Sequence, residues 1–319
     1  MRIALMTTSY PAFLGDPCGH FVETHARKLA RLDEVVVIAP KQGRMRPGER
    51  EGSPGSLTVI RLAGGGAFGW PGVLSRIRSR PYRMVGAARW AVLARRALAS
   101  LAPLDRIVAH WAFPCGWPVA YDRGVPLELV SHGQDVRSLV QLPPPVRRHV
   151  VRALLRHAET WTFVSSSLHA ALERMLEPED RKRLDAVARI EPCSIEIPNV
   201  ADAIRARRAA RSDARLFVCV ARLVPSKRVH RVVDHVAREC ASRDPARLVI
   251  VGDGPLRARL ERQARSAGLD TVFVGRTTRE VALAWIGSAD AVLHASAAEG
   301  LSTVEREAQA LGVPFLSVA

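Results

Sequence analysis

Short apolar runs alternate in this chain with longer stretches whose apolar residues recur every three or four positions. Arg2–Met6, Val35–Ala39, Arg106–Ala109, Leu127–Ser131 and Thr162–Val164 read as buried strands. His20–Leu32 reads as a helix with Phe21, Ala26, Leu29 and Leu32 turned inward. A polar, Arg/Ala-rich stretch (Asp202–Arg215) interrupts the alternation, which then restarts. Leu216–Ala221, Leu248–Val251, Val272–Val274, Ala291–His294 and Phe315–Val318 read as strands. Val229–Cys240, Leu256–Ala267, Arg279–Gly287 and Val304–Leu311 between them read as helices. Strands spaced by helix-length segments predict βαβ units and parallel sheets. Two such series predict an α/β protein of two doubly wound domains, residues 1–200 and 201–319, with the boundary near 198–213. A ligand is then expected between the domains, beyond the C-terminal ends of the strands.

Composition narrows the class. With 319 residues, 48% hydrophobic and 24% charged, the chain is not a disordered tail, a collagen or a low-complexity scaffold. Five cysteines, an odd number without a CxxC, argue against a disulfide framework or structural zinc and for a reducing compartment. No apolar run reaches the ~18 residues of a membrane-spanning helix. The start, MRIALMTTSYP, reads as a strand rather than a signal peptide. A cytoplasmic protein is expected.

Charge adds a partner. There are 47 Lys and Arg against 31 Asp and Glu, a net charge of +16, which asks for an anionic partner or surface. From Gly52 to Leu104 there is no acidic residue, and Arg61, Arg76, Arg78, Arg80, Arg83, Arg89, Arg95 and Arg96 all fall there. Phe68, Trp70 and Trp90 are interleaved with them. That mixture suits an anionic membrane surface at its inner face, with a solvated basic face as the alternative. No helix-turn-helix, zinc or RNA-binding motif is visible, so nucleic acid is not an expected partner.

Candidate chemistry lies just after the apolar runs. The loop Thr7–Gly19 lacks the GxGxxG of a nicotinamide site, but Gly19 could bring its backbone to a phosphate or sugar, or serve as a hinge. His132 stands at a strand end before Gly133, where a side chain can face a cleft or simply be hydrogen-bonded in place. Asp135 could orient it or bind sugar hydroxyls. Arg222 and Lys227, five apart at a strand end, suit a diphosphate by combining a planar fork with a point charge; solvated surface charge is the other reading. Gly252-Asp253-Gly254-Pro255 reads as a structural turn. Glu299 and Glu307 flank a helix start at Ser302-Thr303 whose N–H groups suit an anion, and Glu307 could meet ribose hydroxyls.

Together these segments resemble the family 4 retaining glycosyltransferases, which have the GT-B fold of two Rossmann-like domains facing across a cleft. The matching segments are SYPAFLGDPCGHFVETHARKLA, HWAFPCGWP, PLELVSHGQDV, WTFVSSSLHAAL, VARLVPSKRV, LVIVGDGPLRARLE, VFVGR and ASAAEGLSTVEREAQALGVP, in family order. The resemblance implies a nucleotide-sugar donor and a glycan or lipid-linked acceptor, as in cell-surface polysaccharide synthesis. It implies that Arg222 and Lys227 hold the donor diphosphate and that Glu307 binds the ribose. Glu299 would face the donor sugar, and the Ser302 and Thr303 amides would hold the distal phosphate. Gly275 and Arg276 would lie beside the nucleobase, Gly19 in the acceptor-side loop, and His132 in the cleft. No metal or cofactor is implied, and no DxD motif occurs. The sequence departs from the family at Cys18, where a second Gly is common, at Arg228, where Gly often follows the lysine, and at Glu305. It also stops at VPFLSVA, several dozen residues before family members usually end, so a truncated C-terminal domain is expected. A truncated or inactive paralogue, or a GT-B sugar epimerase, is the alternative, and a basic nucleic-acid-binding protein a more distant one.

Overall fold

The computed structural model describes residues 1–42, 50–52, 57–121, 124–210, 213–242, 245–296 and 302–318. They fall into two compact units. One holds residues 1–12 and 18–194, the other residues 13–17 and 195–319.

The first unit is built on an eight-stranded sheet. Its strands are β1 (Arg2–Met6), β2 (Glu34–Pro40), β3 (Arg50–Gly52), β4 (Leu57–Leu62), β5 (Arg106–His110), β6 (Leu127–Ser131), β7 (Ala158–Phe163) and β8 (Ala188–Ile190). Their spatial order is β3-β4-β2-β1-β5-β6-β7-β8, and only β3 runs antiparallel to its neighbour. Ile3, Leu5, Val35, Val37 and Val59 pack with Val22 and Ala26 of helix α1 (His20–Leu29). Ala26 faces inward as expected, but Leu32 is 90% exposed, because α1 ends at Leu29 and no longer carries the helical spacing that far. Strand β7 begins at Ala158, four residues before the predicted Thr162.

The acid-free stretch forms β4 and two helices, α2 (Val73–Ser79) and α3 (Arg83–Ser100). The aromatics expected at a lipid interface are divided. Phe68 and Trp90 are buried with ring centroids 5.1 Å apart, because the amphipathic spacing of α3 turns Trp90, Ala94 and Leu98 to the core. Arg61 is buried over the Tyr10 ring. The outer surface here shows Leu74, Tyr82, Met84, Val85 and Val92 instead. Among the described residues no helix is long and apolar enough to cross a membrane.

The second unit has five parallel strands: β9 (Arg215–Val220), β10 (Ala246–Val251), β11 (Asp270–Gly275), β12 (Ala291–His294) and β13 (Phe315–Ser317). Their order is β11-β10-β9-β12-β13. Alternate residues of the same strand enter opposite cores. Phe217, Leu248, Ile250 and Leu293 pack on one face, and Leu216, Val218, Val249 and Val292 on the other. Burial on both faces is why β9, β10 and β12 read as unbroken apolar runs, while the edge strands β11 and β13 stay partly exposed. The stretch predicted as a polar linker carries a helix, Ala201–Ala209. It docks through arginines. Arg208 donates to the Gly287 carbonyl at 2.6 Å, and the Arg207 guanidinium lies 3.9 Å from the Trp285 ring centroid.

Candidate functional site

In open α/β sheets ligands gather where the strand order reverses, beyond the C-terminal strand ends. The first unit reverses between β1 and β5, the second between β9 and β12.

In the second unit the chain leaves β9 into Arg222, which is exposed, and Lys227, which is half-buried. Their loop is pinned from below. The Ala221 N–H donates to the Val251 carbonyl at 3.0 Å, and the Leu223 N–H to the Asp253 carbonyl at 2.9 Å. Gly252 and Gly254 make this contact possible: a Cβ on Gly252 would sit 1.9 Å from the Ala221 carbonyl oxygen, and one on Gly254 2.5 Å from that of Leu223. The loop then closes as a short 3₁₀ turn, Pro225–Lys227. Arg228 follows with φ +45° and ψ +34°, the left-handed region, which suits the glycine common at this position in the resembled family.

Lys227 is near enough to two buried groups to act on their protonation. Burial pushes the His294 pKa down to about 4, helped by the Lys227 charge. Burial pushes the Cys219 thiol up to about 12, with Lys227 opposing. His294, the last residue of β12, therefore stands neutral beside a cation at the switch point. The sequence reading missed it, although its place at a strand end was the one available signal.

Helix Thr303–Ala310 is capped by Ser302, whose hydroxyl accepts from the Glu305 N–H at 3.3 Å. Thr303 is its first residue. Glu307 is buried further along, and its carboxylate accepts from Arg279 Nε at 3.0 Å. Burial raises the Glu307 pKa while Arg279 holds it down. Gly275 ends β11 at φ +81°, and its carbonyl accepts from the Gly252 N–H at 2.9 Å. Arg276 is held by residues 13–17: its Nη2 donates to the buried Asp16 carboxylate at 3.1 Å, and its guanidinium lies 5.6 Å from the Phe13 ring centroid. The Arg279 N–H donates to the Gly15 carbonyl at 2.8 Å. Thus the loop expected as one acceptor-side element is split, with residues 13–17 folding into the second unit. Glu299 lies outside the described residues.

In the first unit Gly19 precedes α1 at φ +75°, and a Cβ there would meet the Ser9 carbonyl oxygen at 2.5 Å. His132, directly after β6, packs between Phe21 and Trp111, with ring centroids at 4.7 and 4.9 Å. Trp111 is held at φ +68°, a costly backbone state at the β5 end. Asp135 does not reach the His132 ring. It is buried, and its carboxylate accepts from the N–H groups of Ala112, His132 and Gly133 at 3.0–3.2 Å. It clasps the loop that carries the histidine. Burial lowers the His132 pKa to about 3, and the nearby His25 adds to the shift. A neutral imidazole between two aromatic rings can donate or accept one hydrogen bond at no cost in buried charge.

Comparison with known proteins fits this layout. Residues 200–319 match the family of glycosyl transferases group 1. The whole chain is similar to the putative teichuronic acid biosynthesis glycosyltransferase TuaC of Bacillus subtilis, 25% identical over 99% of this chain and 80% of that protein. It is 26% identical to a GDP-mannose-dependent alpha-mannosyltransferase of Mycobacterium tuberculosis, over 99% and 79%. Among solved structures, sucrose-phosphate synthase from Thermosynechococcus elongatus superposes with a TM-score of 0.75 at 22% identity, over 99% of this chain and 80% of that one. The fold is GT-B.

Proposed function

We propose that this chain transfers a sugar from a nucleotide-sugar donor to a glycan or lipid-linked acceptor, with retention of anomeric configuration, in cell-surface polysaccharide synthesis. The observation that carries the reading is the second unit's switch point. There Arg222 and Lys227 leave β9 inside the region that matches the group 1 glycosyltransferases. The donor diphosphate binds this basic pair, with the amides of Ser302 and Thr303 on its distal phosphate. Glu307 takes the ribose hydroxyls. Gly275 and Arg276 flank the base, and Glu299 faces the sugar. The first unit binds the acceptor beside Gly19 and His132. As the sugar–phosphate bond breaks, negative charge grows on the leaving diphosphate, and Arg222 and Lys227 meet it without reorganising.

The exposed arginines and apolar residues of α2 and α3 hold the protein at an anionic membrane surface, which suits a lipid-linked acceptor.

A thermal-shift screen against UDP-, GDP- and ADP-sugars identifies the donor, since a ligand of the native state raises its stability by mass action. With that donor, Lys227→Ala should lower turnover by roughly 10²–10³-fold. Unchanged turnover would remove Lys227 from the diphosphate site.

A further inference from the structure

Glu307, the ribose ligand proposed above, stands in a setting that works against that role. An ionised carboxylate is the better partner for ribose hydroxyls, because it accepts from both and offers no proton of its own. Yet Glu307 lies on the helix Thr303–Ala310 with its side chain only 8% exposed, and burial favours the neutral acid. The chain sets a cation against it. Arg279 begins the helix Arg279–Ser288, its side chain is 12% exposed, and its Nε donates to Glu307 Oε1 at 3.0 Å.

Arg279 is held by backbone and side chain alike. Its N–H donates to the Gly15 carbonyl at 2.8 Å, which ties the helix start to residues 13–17. Its Nη2 is buried and has no hydrogen-bond partner among the described residues. For the fold alone this is a poor arrangement. The attraction within a buried ion pair seldom offsets the desolvation of its two charges, and an unpaired buried N–H adds to the cost. An apolar pair of similar volume would serve the core as well. The pair has its use if Glu307 must stay charged. Arg279 faces Glu307 from the helix Arg279–Ser288, whose next residue, Glu280, is exposed and lies beside Gly15. Strand β13, which also packs on Thr303–Ala310, brings Phe315, Leu316 and Ser317, none of which titrates. Glu305 and Arg306 share the helix of Glu307 itself.

We propose that Arg279 is a positioning residue that keeps the Glu307 carboxylate an acceptor for the donor's ribose hydroxyls. The proposal rests on the reading that Glu307 binds the ribose. Arg279 touches no substrate and acts through Glu307. Burial raises the Glu307 pKa, and Arg279 opposes it by its charge and its hydrogen bond. Without the guanidinium, burial acts unopposed and the pKa moves further up. Ribose recognition should then depend on pH: present in alkali, where Glu307 ionises, and lost toward acid, where it takes a proton.

The test is equilibrium binding by calorimetry, which needs no turnover. UDP, GDP and ADP are each compared with their 2′-deoxy and 3′-deoxy forms, in steps from about pH 6 to about pH 9. A ratio taken at one pH cancels the titration of the diphosphate. Wild-type protein should prefer the ribonucleotide over at least one deoxy form by about 10–100-fold, the worth of a hydrogen bond to a charged group. In Arg279→Gln, which keeps a donor but no charge, this preference should fall to about 2–5-fold at the acid end and recover at the alkaline end. Arg279→Lys keeps the charge and should keep the preference throughout. A structural prop would instead weaken ribonucleotides and deoxynucleotides alike, with no recovery in alkali. That pattern, or a wild-type preference in Arg279→Gln at every pH, would overturn the proposal. Should Arg279→Gln fail to fold, Arg279→Lys decides: a preference kept throughout supports the role, and one lost throughout overturns it. Wild-type binding without any preference would take Glu307 off the ribose and the proposal with it. Wild-type protein that binds none of the nucleotides would sink the transferase reading itself.

Discussion

Arg228 shows what a departure from a family pattern costs locally. Its left-handed backbone places Cβ against the following carbonyl, at roughly 1–2 kcal/mol for a residue other than glycine. Glycine removes that strain but gains freedom in the unfolded chain, which offsets part of the benefit. Arg228→Gly should therefore raise the unfolding free energy by about 0.5–1 kcal/mol, read from the denaturant midpoint at constant slope. A lower midpoint would mean that the Arg228 side chain contributes more than its backbone strain removes. Gly252 and Gly254 are the reverse case. Their missing side chains let two loops touch, and that contact fixes where Arg222 stands.

Strand ends are where both units place their neutral histidines, and this links the elements to acid stability. His132 follows β6 with a pKa of about 3, and His294 ends β12 with a pKa of about 4. In the unfolded chain each takes a proton near pH 6.5, whereas in the folded chain neither does until far lower. The unfolded state thus binds more protons as pH falls. The stability tied to these groups is complete above pH 6.5 and is lost downward toward their folded values. Each contributes a slope of about 1.4 kcal/mol per pH unit inside that window. Denaturant midpoints should fall between pH 6.5 and 5, before most carboxylates titrate, and a flat profile there would contradict the burial of both rings. The same elements show what the sequence could reveal. Leu127–Ser131 and Ala291–His294 were legible to the residue: Ala291–His294 is buried throughout, and in β6 the alternate residues Leu127, Leu129 and Ser131 are buried. Strand β4 escaped notice because Arg61 interrupts its apolar run, and only the fold reveals that this arginine is buried over Tyr10. Helix Ala201–Ala209 read as a linker because none of its residues is fully buried and it docks through arginines and the lone Ile204. At the site, Arg222, Lys227 and His132 could be picked out from strand ends alone. The contact of His25, His110 and His132 could not, since these residues stand 85 and 22 residues apart and meet only through the sheet order.

The net charge of +16 is a property of the whole chain, yet the fold gives its arginines different work. Arg61 is buried, and Arg76 donates to the carbonyls of Gly66 and Trp70, so neither is offered to a partner. Arg78, Arg80, Arg89, Arg95 and Arg96 remain exposed on α2, α3 and their junction. On α3, Val85, Arg89, Val92 and Arg96 recur at helical spacing on one outer face, while Trp90, Ala94 and Leu98 fill the core face. With Tyr82 64% and Met84 61% exposed beside them, this face combines insertion of apolar side chains with attraction to anionic headgroups. Each arginine near such a surface contributes about 1 kcal/mol, screened within a Debye length. Vesicles containing phosphatidylglycerol should therefore carry the protein upward in flotation, and purely zwitterionic vesicles should not. Arg89→Ser with Arg96→Ser should weaken partitioning by roughly 30-fold, from two such contributions. Val85→Ser should weaken it in high salt as well, because apolar insertion is not screened. Equal flotation with both lipids would assign this face to solvent.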